Sequence, residues 1–541
     1  MAGSAALREG PLTQMIRMAI CALATGFLLM GVAFPAMAAD QPKPGGTVIL
    51  ALGTDPPGVN PSVTAGVADA AVGCILYQGL TEETFDGKII PALAKSWTIS
   101  PDGLNYSFDL VKAVWHDGKP FTSADAKYSL EEISGKYSPV FSNSARYIDA
   151  IDAPAPDKLV IRLKRRFQPF LMSLACVLGS AILPKHIYEG ANPVQNRANT
   201  ESPVGTGAFR LTEWQHGDHL RLSRNKDYWE PGLPYLDEVV AKIIPQGAAR
   251  TQALLAGEVD YVGYFYFPAS DFKTIEGNRR LKLARSPTPP SLDYLMINTT
   301  RKPLDDKRVR QALLVATDRD YLLRNAWLDR GTVGVMPFTN QIGWAADPKI
   351  DYRTMYPFDP AKANALLDAA GIARDAQGTR FKVRFLITSD DVDNVSVVAA
   401  IKSMWAAAGI DVQIEMGDRA TALKRVYLDR DYDVTINGYG SYNEPAFGLA
   451  RIFTSSGIVK PYGNGSVYSN PKVDELFAMA ETAMTLDERG VYYREVQAIL
   501  AEDLPVFTLR DKALMDVVSV NLRDYLQEAH ASSWRKAWIA Q

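Results

Sequence analysis

The chain has 541 residues, 47% hydrophobic and 22% charged, with a formal net charge of −3. This composition excludes a disordered chain and gives length for roughly three to four domain-sized units. The balanced charge offers no basic face for nucleic acid.

Arg8 and Arg17 precede an apolar run from Met18 to Phe34, followed by Pro35-Ala36-Met37-Ala38-Ala39-Asp40. A basic start, an apolar middle and an Ala-x-Ala end read as a secretory signal peptide over 1–38, cut after Ala38. A membrane anchor is the competing reading, but the run is short for a span and lacks basic flanks at its end. Cys21 falls inside the leader after Ile20, a poor lipoprotein cleavage site. That leaves Cys74 and Cys176. A chain of this size has core enough without disulfides, so buried free thiols are expected, although spacing alone does not decide pairing.

Gly45 to Leu52 reads as a first buried strand, and Ala68 to Leu80 as an apolar helix ending near Gly79. "WTISPDGLNYSFDL" alternates about Asp102-Gly103, the signature of a hairpin with a two-residue loop. Leu159, Ile161 and Leu163 mark another strand, as do Leu220 and Leu222. Past about residue 300 the rhythm changes. Val309, Ala312, Leu313 and Ala316 share a helical face, with Asp305 and Asp306 as cap candidates. Asp359-Pro360 opens a helix closed by Gly371, and "SVVAAIKSMWAAAG" closes at Gly409 before an alternating strand from Ile410. "YDVTI" is a further strand, and two helices follow within 470–503. The expectation is a strand-rich half, an α/β half, and a ligand cleft at their junction.

Catalytic spacings are missing: there is no Gly-x-Ser-x-Gly elbow, phosphate loop or zinc helix. "PVGTGAFR" has Gly205 and Gly207 but carries Arg210 where a dinucleotide fingerprint needs its third glycine. His216 and His219 flank a turn without a third and fourth metal ligand. "WHDGKPFTSADA" sets His116 beside Asp117, yet every residue has a structural task there. Asp117-Gly118 makes a turn, Thr122 or Ser123 caps a helix, and Trp115 and Phe121 flank the turn. Scaffold is therefore expected, with no cofactor, no metal and no enzymatic activity.

The stretches "LYQGLTEETFDGKIIPALAKSWTISPDGLNYSFDLVKAVWHDGKPFTSADAKYSL", "SPVGTGAFRLTEWQHGDHLRLSRNKDYW", "ALLAGEVD", "DDKRVRQALLVATDRDYL" and "YSNPKVDELFAMAETAMTLDERGVYYREVQAILAEDLPVFTL" follow one another across the mature chain. Together they resemble the family 5 extracellular solute-binding proteins, receptors of oligopeptide, dipeptide and nickel ABC importers. The resemblance implies an α/β fold like type II periplasmic binding proteins, two hinged lobes with an extra inserted domain. It divides the chain into lobe I (39–80, 203–295 and 506–541), the insertion (81–202) and lobe II (296–505). It implies a periplasmic monomer that takes a peptide or peptide-like small solute and delivers it to permease subunits.

By the same resemblance, ligand contacts are expected from "DYDVTINGYGSYNEPAF": Tyr439, Gly440, Ser441, Tyr442, Asn443 and Glu444. Gly66, Val67, Met296 and Arg419 are expected to join them, with Tyr264 and Tyr266 from "DYVGYFYFP" supplying ring faces. Ser441 and Ala65 stand where related receptors carry carboxylates for a peptide's ammonium, and Glu444 matches a structural position. A buried ammonium needs such a partner. Modified peptides, opine-like conjugates and sugars therefore stand beside plain peptides as candidate solutes. Nickel is disfavoured, since no histidine occurs between 220 and 529. A sensory or chaperone-like receptor and a secreted hydrolase are the competing readings.

Overall fold

Thr47–Leu52 lies parallel to Glu238–Ile243 on one side and to Tyr261–Val262 on the other. Its near-continuous apolar run, TVILAL, suits a strand buried on both faces. It sits at the middle of a seven-stranded mixed sheet. From edge to edge the strands are Leu281–Arg285, Met515–Ser519, Tyr261–Val262, Thr47–Leu52, Glu238–Ile243, His219–Arg224 and Phe209–Gln215. Val72, Ile75 and Leu76 of the helix Val67–Leu76 pack on Leu50, Leu220 and Val239. The computed structural model describes residues 41–64, 66–84, 86–286, 289–388, 392–458, 463–525 and 534–540. The expected signal peptide, Ala65 and His530 lie outside them. Among the described residues no helix is long and apolar enough to cross a membrane.

The helix from Val67 stops at Leu76, short of the expected Gly79. Gly79 serves close approach instead: a Cβ there would sit 2.3 Å from the Leu174 carbonyl oxygen. Cys74 and Cys176 also depart from expectation. They form a disulfide across 102 residues, with Cα atoms 5.9 Å apart. The helix and the turn Cys176–Leu178 pack face to face, which brings the two thiols together.

A four-stranded antiparallel sheet follows, in the order Ala94–Ile99, Asn105–Leu110, Lys158–Leu163 and Ile148–Ala155. Leu159, Ile161 and Leu163 point into its core while Lys158 and Arg162 stay outside. The hairpin at Asp102-Gly103 turns through residues 100–104, longer than two. Gly103 takes φ +69° and donates its N–H to Ser100 O at 2.8 Å, adding a tight turn inside the loop.

The six-stranded sheet runs Thr332–Val333, Val506–Asp511, Ser291–Ile297, Val434–Gly440, Phe381–Thr388 and Ile410–Gly417. Ser291–Ile297 is buried on both faces. Leu295 and Ile297 meet the helices Lys307–Val315, Pro360–Ala369 and Val392–Ala407; Leu292, Tyr294 and Met296 meet Pro471–Thr482 and Leu486–Asp503. Two caps are the expected ones, Asp306 and Asp359, and Asn470 adds a third. Asp306 accepts from Arg308 N–H, Asp359 precedes Pro360, and Asn470 precedes Pro471.

The chain leads from one large sheet to the other twice, between the strands Leu281–Arg285 and Ser291–Ile297 and between Val506–Asp511 and Met515–Ser519. These crossings lie side by side: Ser286 N–H donates to Leu514 O at 2.7 Å, and Lys512 N–H to Ser291 O at 2.8 Å. The four-stranded region also touches the six-stranded side. Asn443 Nδ2 donates to Glu83 Oε1 at 2.8 Å, Tyr147 O–H donates to Glu481 Oε2 at 2.8 Å, and the Phe167 and Phe447 rings stand 5.8 Å apart.

Candidate ligand-binding cavity

His116 is the residue most open to a catalytic reading, and its partners remove that reading. Gly205 N–H donates to Nδ1 at 3.2 Å, so Nδ1 must accept. Nε2 lies 3.0 Å from Gly207 O and must donate. This fixes the neutral tautomer, and burial brings the pKa down to about 4. The clamped loop explains its own glycines. A Cβ on Gly205 or Gly207 would lie 1.9 Å from Leu76 O or 2.2 Å from Ile75 O. Asp117 pairs with His186 Nε2 at 2.7 Å, and Thr122 and Asp125 form a capping box. His216 pairs with Asp55, and His219 with Asp218 and Glu213. Among the described residues no group of three or more His, Cys, Asp or Glu is placed to hold a metal.

A cavity of about 480 Å³ opens between the seven- and six-stranded sheets, against both chain crossings. The carboxyl end of Thr47–Leu52 supplies Leu50, Ala51 and Leu52. The start of the helix Val67–Leu76 adds Gly66, Val67, Ala70 and Ala71. The loop Gly263 to Tyr266 contributes three exposed or half-buried rings. Ser286, Ser291, Lys512 and Leu514 come from the crossing region, Gly438, Gly440 and Tyr442 from the far sheet, and Trp534 from the C-terminal tail. Val177 and Gly179 reach it from beside the Cys176 bridge. A second hollow of about 520 Å³ is more open, and its charges are mutually paired, as in Lys127–Glu131, Lys136–Glu132 and Lys185–Glu189.

Six expected contacts line the cavity together: Gly66, Val67, Tyr264, Tyr266, Gly440 and Tyr442. The other six stand away from its wall. Met296 is buried in the core beside Gly465. Tyr439 is buried, its hydroxyl against Tyr427 and its ring under Arg451. Ser441 is buried and donates its hydroxyl to Pro290 O at 2.9 Å. Asn443 is held by Glu83. Glu444 accepts from Arg489 Nη1 at 2.8 Å in a buried ion pair and from Ala446 N–H at 3.0 Å. Arg419 begins a helix beyond the strand Ile410–Gly417.

Of the aromatic run, Phe267 turns into the core against Phe272. Asp516 anchors the loop from behind: it accepts from Tyr261 O–H and Tyr264 N–H, each at 2.8 Å, and burial raises its pKa to about 6. Tyr442 and Asn443 hold left-handed backbone at φ 56° and 54°, a cost that collects at working sites. Thr64, Ser291, Trp534 and Lys512 were not anticipated. The sequence signal for Lys512 was slight, a charged Arg-Asp-Lys triplet closing an apolar strand.

The profile of the bacterial extracellular solute-binding proteins, family 5 Middle, matches residues 88–460. The glutathione-binding protein GsiB of Pectobacterium atrosepticum is 28% identical over 515 residues, covering 93% of this chain and 95% of its own. Among solved structures, the chain resembles the ABC transporter-associated periplasmic binding protein DppA from Helicobacter pylori, in complex with the peptide STSA. The TM-score is 0.78 at 25% identity, over 93% of this chain and 99% of that one. It also resembles the PBP AgaA of A. tumefaciens R10 in complex with agropinic acid. There the TM-score is 0.75 at 25% identity, over 92% and 99% of the two chains.

Proposed function

Because the chain belongs to the bacterial extracellular solute-binding proteins of family 5, we propose that it takes a peptide or peptide-like small solute into the cavity between its two large sheets. It is a binding receptor of an ABC importer, with the fold of type II periplasmic binding proteins, and not an enzyme. The observation that carries the reading is the position of the cavity. Its walls come from both sheets, and the chain crosses between those sheets at its edge. A solute held there bridges two bodies joined by short segments, the arrangement that converts binding into closure.

We read lobe I as 39–80, 203–295 and 506–541, the insertion as 81–202 and lobe II as 296–505, with crossings near 286–291 and 511–515. Export to the periplasm with cleavage after Ala38, a monomeric state and delivery to permease subunits complete the proposal. Gly66, Val67, Tyr264, Tyr266, Gly440 and Tyr442 are its ligand contacts. The relatives named for glutathione and for a bound peptide support a peptide-like guest.

A second reading has its own support. Ser441, expected near a ligand's amino group, spends its hydroxyl on Pro290 O. That favours an opine-like conjugate or a sugar over a peptide with a free N-terminus. Mass spectrometry of solute released from periplasmically produced protein decides between them. The right solute raises the melting temperature, because only the folded state binds it; at a hundredfold excess over Kd the gain is about 2.7 kcal/mol. A guest recovered cleaved after incubation would refute the receptor reading.

A further inference from the structure

Among the described residues, one charged side chain lines the cavity, that of Lys512. Its ammonium lies 2.7 Å from Asp293 Oδ1, and Arg510 Nε donates to Asp293 Oδ2 at 2.7 Å. One buried carboxylate thus faces two cations, and the three groups carry a net positive charge. The two cations are not equally placed. The Arg510 side chain is 8% exposed, lies over the Trp327 ring at 4.4 Å and donates to Arg330 O. The Lys512 side chain is 27% exposed and opens on the cavity.

The opposite strand leaves room for it. Asp293 pairs in register with Gly438, and Ser291 with Gly440. A Cβ on Gly438 would stand 2.8 Å from Lys512 Nζ. Gly438 is not among the positive-φ glycines, so its backbone does not demand the missing side chain. Space at the ammonium is what the glycine supplies.

No carboxylate among the described residues lines the wall. Of those nearby, Asp516 is held by Tyr261 and Tyr264, Glu444 by Arg489 and Glu83 by Asn443, and Asp69 is buried beside Gly66, whose N–H donates to its Oδ2 at 3.2 Å. A guest's ammonium would lose its water without a counter-charge and would meet Lys512, whereas a guest's carboxylate would find a partner. Beside the hydroxyls of Thr64, Ser286 and Ser291, the rest of the wall is apolar or aromatic, including Tyr264, Phe265, Tyr442 and Trp534.

We propose that Lys512 is the anion-recognising residue of this cavity and that the solute carries a carboxylate against it and no free ammonium. The class is an N-blocked peptide or amino-acid conjugate with an apolar or aromatic body. This rests on the cavity being the peptide-like solute's site.

The test is calorimetric titration with three probes on one scaffold: N-acetylphenylalanyl-alanine, its C-terminal amide, and phenylalanyl-alanine amide with a free ammonium. Wild type, Lys512→Met and Lys512→Arg are compared. The wild type is expected to bind the acetylated acid at least roughly tenfold more tightly than either amide, the effect of one charge-assisted hydrogen bond. Lys512→Met is expected to erase that preference and Lys512→Arg to keep it. Equal or tighter binding of the free-ammonium probe overturns the charge assignment while leaving the cavity as the site. So does a preference that survives Lys512→Met. If none of the three probes binds the wild type, the peptide-like reading falls and the inference with it. Should Lys512→Met fail to fold, the wild-type probe order decides alone.

Discussion

A histidine whose two ring nitrogens both face main-chain partners has no lone pair left for a proton. His116 is in that position, with a folded pKa of about 4 against an ordinary 6.5. Below pH 6.5 the unfolded chain therefore binds a proton that the folded chain refuses. The stability due to this site is full above 6.5 and falls away as the pH drops toward 4. In His116→Gln the amide still donates and accepts but does not titrate. Urea denaturation across pH 4–7 is expected to show a shallower acid-side loss than wild type, and an unchanged slope would mean another group governs it. At this scale the sequence was legible for scaffold and only partly for the site, and strand parity explains why. Side chains on Val434–Gly440 alternate, so Gly438 and Gly440 face the cavity while Tyr439 faces the core. Tyr439 and Gly440 could not both have faced the cavity. Lys512 escaped notice for a different reason: its importance comes from Asp293 and Gly438 across the sheet, partners far off in sequence.

Elements were read most reliably where their ends carry their own chemistry. Asp359 before Pro360 places a side-chain acceptor over free N–H groups, and that helix begins there; Asn470 and the Thr485–Glu488 capping box do the same for two later helices whose caps the sequence reading did not name. The end near Gly79 misled because the same residue type also serves close packing. The Cys74–Cys176 bridge was not legible, since spacing does not encode which thiols meet. It joins the helix whose first turn lines the cavity to the turn carrying Val177 and Gly179. Replacing both cysteines by alanine is expected to cost about 2–4 kcal/mol, largely by freeing the unfolded chain. Denaturant titration measures this. A loss below about 0.5 kcal/mol would show that packing alone holds the two segments together.

For the whole molecule, the resemblance carried the fold further than local patterns did, because sheet order is set by pairings between distant stretches. Strands 47–52 and 515–519 share a sheet although nearly the whole chain separates them. Binding is expected to draw the lobes together. Small-angle scattering should give a smaller radius of gyration with saturating solute than without, and an unchanged radius would rule out closure as the response. The paired crossings limit what such a motion can be. Because Ser286 with Leu514 and Lys512 with Ser291 tie the two strands edge to edge, sliding one past the other would break those rungs, while flexing both as a single strap would keep them. The closure expected on binding would therefore be a swing about one line, as of a door on its pin. Lys512 lies in the second crossing, where such a swing would move it least, so the proposed grip on a guest's acidic end would come before the door had shut.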